Sequence, residues 1–223
     1  TFKQHKATLE EERQVRQSII KEIRERLQGI GAQDPWSKFD YDFSNAHFFY
    51  PIDFAYSYFG ASLQFSGATF SGYAEFYGTN FAQIANFSKA NFTRDTDFSE
   101  AKFTGVGFSR ATFAERANFT EATFTQGADF TEAKFTRNAI FLGATFTQDA
   151  DFPKTFYDFP KTPFDFSEVK FIQHAIFVGA TFTQGANFSN ATFTGNADFT
   201  EADFNVSGAT FDFSGATFIQ GAD

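Results

Sequence analysis

Residues 111–152 read ATFAERANFTEATFTQGADFTEAKFTRNAIFLGATFTQDADF, and the spacing within them decides the fold. Phenylalanine falls at 113, 119, 124, 130, 135, 141, 146 and 152, so the steps alternate between six and five residues. An alanine stands two residues before each of them, from Ala111 to Ala150. The unit is thus eleven residues made of two near-copies, AxFTxAxFTxx. Residues two apart on an extended backbone point to the same side. Each half-unit therefore reads as a short extended stroke that turns Ala and Phe inward, followed by a corner. In the six-residue step the extra corner position holds Gly127, Asn138, Asp149, Gly185 or Asn196. These residues tolerate a left-handed backbone, which is expected at that position.

The rhythm extends outward from this stretch in both directions. It starts at Phe43, where the early members are degenerate and rich in Tyr (Tyr50, Tyr56, Tyr58), and it runs to Phe218. One residue is missing at Gly105-Val106-Gly107. A larger break at Pro153–Phe164 holds three of the five prolines and repeats DFPKT, which predicts an irregular loop at 153–164. A last irregularity spans Asn205–Thr210. Phe supplies 38 of the 223 residues, against 1 Trp and 7 Tyr. A globular core mixes side-chain shapes to fill uneven gaps, whereas one residue type at fixed spacing implies a stacked array.

The segments Ala90-Asn91-Phe92-Thr93-Arg94, Ala117-Asn118-Phe119-Thr120-Glu121 and Ala202-Asp203-Phe204 resemble the pentapeptide-repeat motif, A(D/N)(L/F)xx. The resemblance covers about residues 43–218. It implies an all-β solenoid, a right-handed quadrilateral β-helix with the central Phe inside. The alternating step departs from the family pattern and calls for about 22 residues per coil. Phe76, Phe98, Phe119 and Phe141 then share one column of a Phe-stacked core, and Phe81, Phe103, Phe124 and Phe146 share another. About eight coils at a spacing of ~4.8 Å make a rod ~40 Å long. The segment Trp36–Phe43 after a charged helix also resembles bacterial members with helical N-terminal regions.

Residues 1–36 form a separate N-terminal unit ahead of the solenoid at 37–223. Thr8 and Glu11 have the spacing of a capping box. Val15, Ile19, Ile20, Ile23 and Leu27 then recur on one helical stripe. Gly29, Gly31 and Asp34-Pro35 are stop signals. The pattern predicts one amphipathic α-helix over about 8–28 that caps the first coil or ends an upstream helical domain, with Trp36 plugging that coil. Its polar face mixes Glu with Arg, which argues against a membrane-surface role.

Net charge is −9, and its distribution is uneven. Residues 1–33 carry seven Lys/Arg and five Asp/Glu, while residues 34–223 carry eleven and twenty-two. Such a rod repels phosphates, so direct nucleic-acid binding is not expected. No apolar run reaches the ~18 residues of a transmembrane segment, and there is no Cys. The expected compartment is the cytoplasm. The chain starts at Thr1 without Met, as a trimmed piece would. Its last residues, Phe218–Asp223, stop inside a repeat. Either the natural chain continues there, or two copies meet end to end as a homodimer.

The surface offers few chemical motifs. Asp97, Asp129, Asp151 and Asp198 read as a solubilising face. A calcium site needs six or more converging oxygens. Thr-Phe-Thr at 123–125, 145–147, 181–183 and 192–194 raises an ice-binding solenoid as a remote alternative, but Lys-Phe-Thr and Asp-Phe-Thr interrupt the rows. Asn91, Asn118 and Asn187 open glycosylation triplets that the repeat itself generates. His5, His47 and His174 are dispersed, so neither a metal site nor a cofactor is expected. A ring-filled solenoid has no internal pocket, so an enzyme is not expected. The reading is a non-enzymatic structural or protein-interaction module, a rigid acidic rod docking protein partners. The resemblance supplies the alternative of a DNA-mimicking protein that binds DNA gyrase, as an inhibitor or as protection from drugs.

Overall fold

The computed structural model describes residues 2–28, 35–157, 164–183, 185–204 and 209–220, without the side chains of 2–9 and 157. From residue 41 the chain winds as a β-solenoid of about eight turns. One turn shows the plan: two-residue strands at Ala117–Asn118, Thr123–Phe124, Ala128–Asp129 and Lys134–Phe135 form its first to fourth faces. Each pairs in parallel with the same face of the turn before and the turn after, as Thr123 does with Lys102 and Thr145. The backbone bonds of every short strand are thus satisfied by neighbouring coils.

The alternating steps place four phenylalanines inside each coil, which build four columns of rings. Column one contains Phe76, Phe98, Phe119 and Phe141, with centroids 4.8, 5.2 and 4.7 Å apart and planes within 9° of parallel. Column two contains Phe81, Phe103, Phe124 and Phe146, at 4.8, 5.1 and 4.4 Å. Phe87, Phe108, Phe130 and Phe152 make column three, and Phe70, Phe92, Phe113 and Phe135 column four. Between columns the rings meet edge to face, as Phe119 and Phe130 do at 5.7 Å and 87°. Offset stacks along the axis and edge contacts across it satisfy the ring quadrupoles in both directions. Each ring removes ~150–250 Å² from water, worth roughly 4–6 kcal/mol before the entropy of ordering its repeat. The paired Ala side chains, such as Ala117, Ala122, Ala128 and Ala133, are fully buried where the walls converge.

The left-handed residues sit at the other kind of corner from the one expected. Asn138, Asp149, Asn196 and Gly127 have negative φ; of the five positions named, only Gly185 is positive, at 95°. Positive φ instead recurs in the five-residue step, two residues after Phe, at Lys89, Glu100, Arg110, Glu121, Glu132 and their equivalents. There Ala122 N–H donates to Phe119 O (3.0 Å), which with φ 57° at Glu121 is the pattern of a type II turn. The shorter step has fewer residues with which to reverse direction, so it takes the tight turn, and the longer step bends with ordinary dihedrals. Before the last coil the left-handed residues of this corner donate their N–H to the next coil, Glu121 to Leu142 O at 2.8 Å, for example. That bond helps hold a conformation costing a non-glycine residue ~1–2 kcal/mol.

The missing residue at 105 is absorbed as a shift of register between neighbouring strands. Lys102–Gly107 is one continuous strand, as is Asn80–Asn86 beneath it, with a bulge between Phe103 and Gly105. Beyond the larger break the columns resume, with Phe166 stacked on Phe141 at 4.9 Å. The loop expected at 153–164 does not begin at 153: Lys154 takes the regular left-handed corner, and Phe156–Tyr157 pairs with Lys134–Phe135 and with Thr181–Phe182. Residues 158–163 lie outside the described residues, as do 205–208 of the last irregularity.

The N-terminal helix, α1, spans Phe2–Leu27. It therefore begins before Thr8, and the capping-box spacing does not mark its start. Residues 2–7 contain no Gly or Pro to interrupt it. Ile23 and Leu27 are buried with the core and Ile20 is partly so. Arg24 pairs with Asp53, and Gln28 Nε2 donates to Ala55 O. Pairs such as Arg16–Glu12 and Arg26–Glu22, both 2.9 Å, support the exposed side of the helix. Gly29 and Gly31 lie outside the described residues. Trp36, in the 3-10 turn Pro35–Lys38, packs partly buried against the core.

Candidate interaction surface

Phe76, Phe81, Phe98, Phe103, Phe119, Phe124, Phe141 and Phe146 are each at most 1% exposed, so the interior holds rings rather than a ligand chamber. What the rod presents is its outward rows, one residue per coil. On the first face the register runs Asp53, Glu75, Asp97, Asn118, Ile140, Asp165, Asn187 and Asp212. On the third it runs Asp42, Gln64, Asn86, Gly107, Asp129, Asp151, Ile176 and Asp198. The four aspartates read from the sequence as one type of face thus divide, Asp97 on the first face and Asp129, Asp151 and Asp198 on the third.

These carboxylates have a local task. On these two faces the Asp or Asn before Phe accepts the backbone N–H two residues on: Ser99 to Asp97 (2.8 Å), Thr120 to Asn118 (3.1 Å), Thr131 to Asp129 (2.8 Å). This Asx bond fixes entry into the tight turn and explains the residue preference at that position. Hydrogen bonds from Thr200 hold the Asp198 carboxyl below the usual carboxylate range, and those from Ser44 and Ser214 do the same for Asp42 and Asp212. Asp151 is the exception, because two residues on stands Pro153, which has no N–H. Burial, then the charges of Asp129 and Asp149, push its carboxyl up. Burial likewise raises Glu75, and burial together with a hydrogen bond to Glu75 raises the Tyr73 phenol.

The tight corner following the first face adds Glu100, Glu121 and Glu168. First face and corner together form an acidic stripe along the rod: Asp53, Glu75, Asp97, Glu100, Glu121, Asp165, Glu168 and Asp212, with no Lys or Arg in either row. Among the described residues, Asp53 alone of these makes an ion pair, to Arg24. Basic residues lie on other edges and pair with acids there: Arg110–Glu132 at 2.7 Å, Arg137–Glu115 at 2.9 Å, Arg116–Asp95 at 3.5 Å. The stripe was not visible in the count of charges. It emerges only when residues 22 apart are set side by side.

The remaining sequence features fall apart in space. His47 shares a hydrogen bond with Ser71 (2.7 Å) at the first coil, while His174 is exposed far along the rod; the side chain of His5 lies outside the described residues. The Thr row of the second face is broken by Lys102 and Lys170. Thr125 turns its hydroxyl back to Phe103 O (3.0 Å). At the far end Phe199, Phe204, Phe211, Phe213 and Phe218 line an open apolar cup of about 410 Å³. No described helix is long and apolar enough to cross a membrane.

The family model for pentapeptide repeats, nine copies long, matches residues 76–123, 108–155, 162–203 and 177–223, more than half of the chain. No curated protein matches it.

Proposed function

Since the chain belongs to the pentapeptide-repeat family, and its solenoid is a structural repeat module, we propose that it is a non-enzymatic protein-interaction rod that docks a basic protein surface along its acidic stripe. The observation that carries this reading is the segregation of charge: eight carboxylates in two adjacent rows with no base among them, on a scaffold held rigid by stacked rings. A row of like charge on a fixed spacing steers and orients a complementary partner.

The repeat makes the test clean. Asn already performs the Asx bond at Asn118 and Asn187. Asp97→Asn, Asp165→Asn and Asp212→Asn, combined with Glu100→Gln, Glu121→Gln and Glu168→Gln, therefore remove six of the eight charges of the stripe while keeping the turns, leaving Glu75 and the Arg24-paired Asp53. Basic proteins retained by the immobilised rod at low salt are lost by this variant, whose circular dichroism is unchanged. Equal retention by both proteins overturns the reading.

The same acidity favours a second reading, a DNA-like surface that binds DNA gyrase. A gyrase supercoiling assay separates the two: inhibition or drug protection at micromolar rod supports it, and unaltered supercoiling disposes of it.

A further inference from the structure

The first coil departs from the repeat on its outside as well as its inside. Phe49 occupies the outward position that later coils fill with Ser71, Thr93, Ala114 and Thr136, and it is 52% exposed. Tyr50 and Pro51 follow it. None of these is needed to stack coils. Together with α1 they wall a cleft of about 370 Å³ in which Ile19 and Ile20 of the helix face Phe43, Phe48, Phe49 and Ile52 of the coil. That volume lies at the lower end of the ~300–1,000 Å³ typical of small-molecule sites. The cleft is preformed, because the Arg24–Asp53 pair and buried Ile23 and Leu27 pin the helix to the coil.

Its polar side chains are Arg16, Gln17, His47 and Tyr50, and Arg16 is the one fixed charge among them. The Arg16 guanidinium lies 5.5 Å from the Phe49 ring centre, and the His47 ring stacks on Phe49 at 3.8 Å. The Arg16 bonds to Glu12 use Nε and Nη2, and among the described residues Nη1 has no partner. His47 uses Nε2 toward Ser71. A cationic fork and an imidazole thus flank an apolar slot on a protein of net negative charge. A planar guanidinium beside apolar walls suits a carboxylate attached to an apolar body.

We propose that this cleft binds a small apolar carboxylate, the apolar body lying between Ile20 and Ile52 and the carboxylate meeting Arg16. The site is separate from the acidic stripe and does not depend on its role.

Octanoate is a suitable probe, followed by nuclear magnetic resonance of the whole chain. Titration shifts the Arg16 Nε and His47 ring signals saturably, Arg16→Ala weakens binding about tenfold, the loss of one charge-assisted bond, and Phe49→Ala weakens it too. Both side chains are substantially exposed, so these variants keep the fold. Octylammonium, the same chain with the opposite charge, leaves the signals unmoved. The proposal is overturned if octanoate moves neither signal, if octylammonium binds as well, or if the shifts are confined to Phe204, Phe211 and Phe218 at the opposite end.

Discussion

Asp151 stands two residues before Pro153, in the register where Asp129 stands two residues before Thr131, and only Asp129 receives a backbone N–H, at 2.8 Å. The Asp151 carboxyl is half-buried without the turn bond, and burial followed by the charges of Asp129 and Asp149 raises its pKa. The folded state therefore holds a proton there more tightly than the unfolded chain does. Stability is highest with Asp151 protonated and falls as pH rises through its folded pKa. Asp151→Asn should raise the melting temperature at about pH 7, with the gain vanishing below about pH 4, where the unfolded carboxyl is protonated too. Melts of both proteins across that window check the sign. Pro153→Thr restores the donor, and the carboxylate's titration, followed by carbon resonance, should move to lower pH.

Phe124 stacks on Phe146 at 4.4 Å and 1°, the closest ring pair in column two, and is 1% exposed. Phe124→Ala removes partners above and below as well as edge contacts to the side. It should cost ~3–5 kcal/mol in chemical denaturation. An unchanged midpoint would mean the column closes over the gap, against the rigidity that parallel pairing imposes.

Gly143 is left-handed (φ 65°) and its N–H reaches Ser167 O at 3.0 Å. Gly143→Val should destabilise by at least ~1–2 kcal/mol, since a branched side chain is strained there. Glu121 holds the same conformation one coil earlier in the same row, and Glu121→Gly should be neutral or slightly stabilising, as relief of strain offsets the added unfolded-state entropy. The opposite signs at two equivalent corners, read from melts, test the backbone rather than the side chains.

Leu27 is 1% exposed and joins α1 to the core. Leu27→Ala should cost ~2–5 kcal/mol locally. Hydrogen exchange should quicken at first-coil amides such as Tyr41 and Phe43, which pair with Ser62 O and Gln64 O, while amides in the middle of the rod stay protected. Uniform quickening throughout would show that the cap stabilises the whole array rather than its end.

Phe periodicity made the winding legible, because each ring meets the same surroundings whichever coil carries it. The deletion at 105 and the breaks near 158 and 205 could be counted from Phe to Phe without any coordinates. The corners differ from the expectation for a physical reason. Asn and Gly in the longer step advertise left-handed freedom, yet the strain falls in the shorter step on Glu, Lys and Arg, where an inter-coil bond overrides local preference. The start of α1 was misplaced because Thr8 and Glu11 fit a capping box inside a helix as well as at its end. The acidic stripe from coil to coil and the approach of Arg16 to Phe49 depend on proximity between residues 20 or more apart in sequence, and no local pattern announces either.

Successive members of column two lie 22, 21, 22, 25, 22 and 25 residues apart from Phe81 to Phe218. The length of chain between them varies, while the rings keep their pitch, with centroids 4.4–5.1 Å apart. The molecule is in effect a ruler whose graduations are aromatic. Duplicating or excising one full turn in its gene would change the protein's reach by ~4.8 Å and leave every remaining contact in its accustomed setting, so such a protein can be matched in length to what it must span without redesigning its interior.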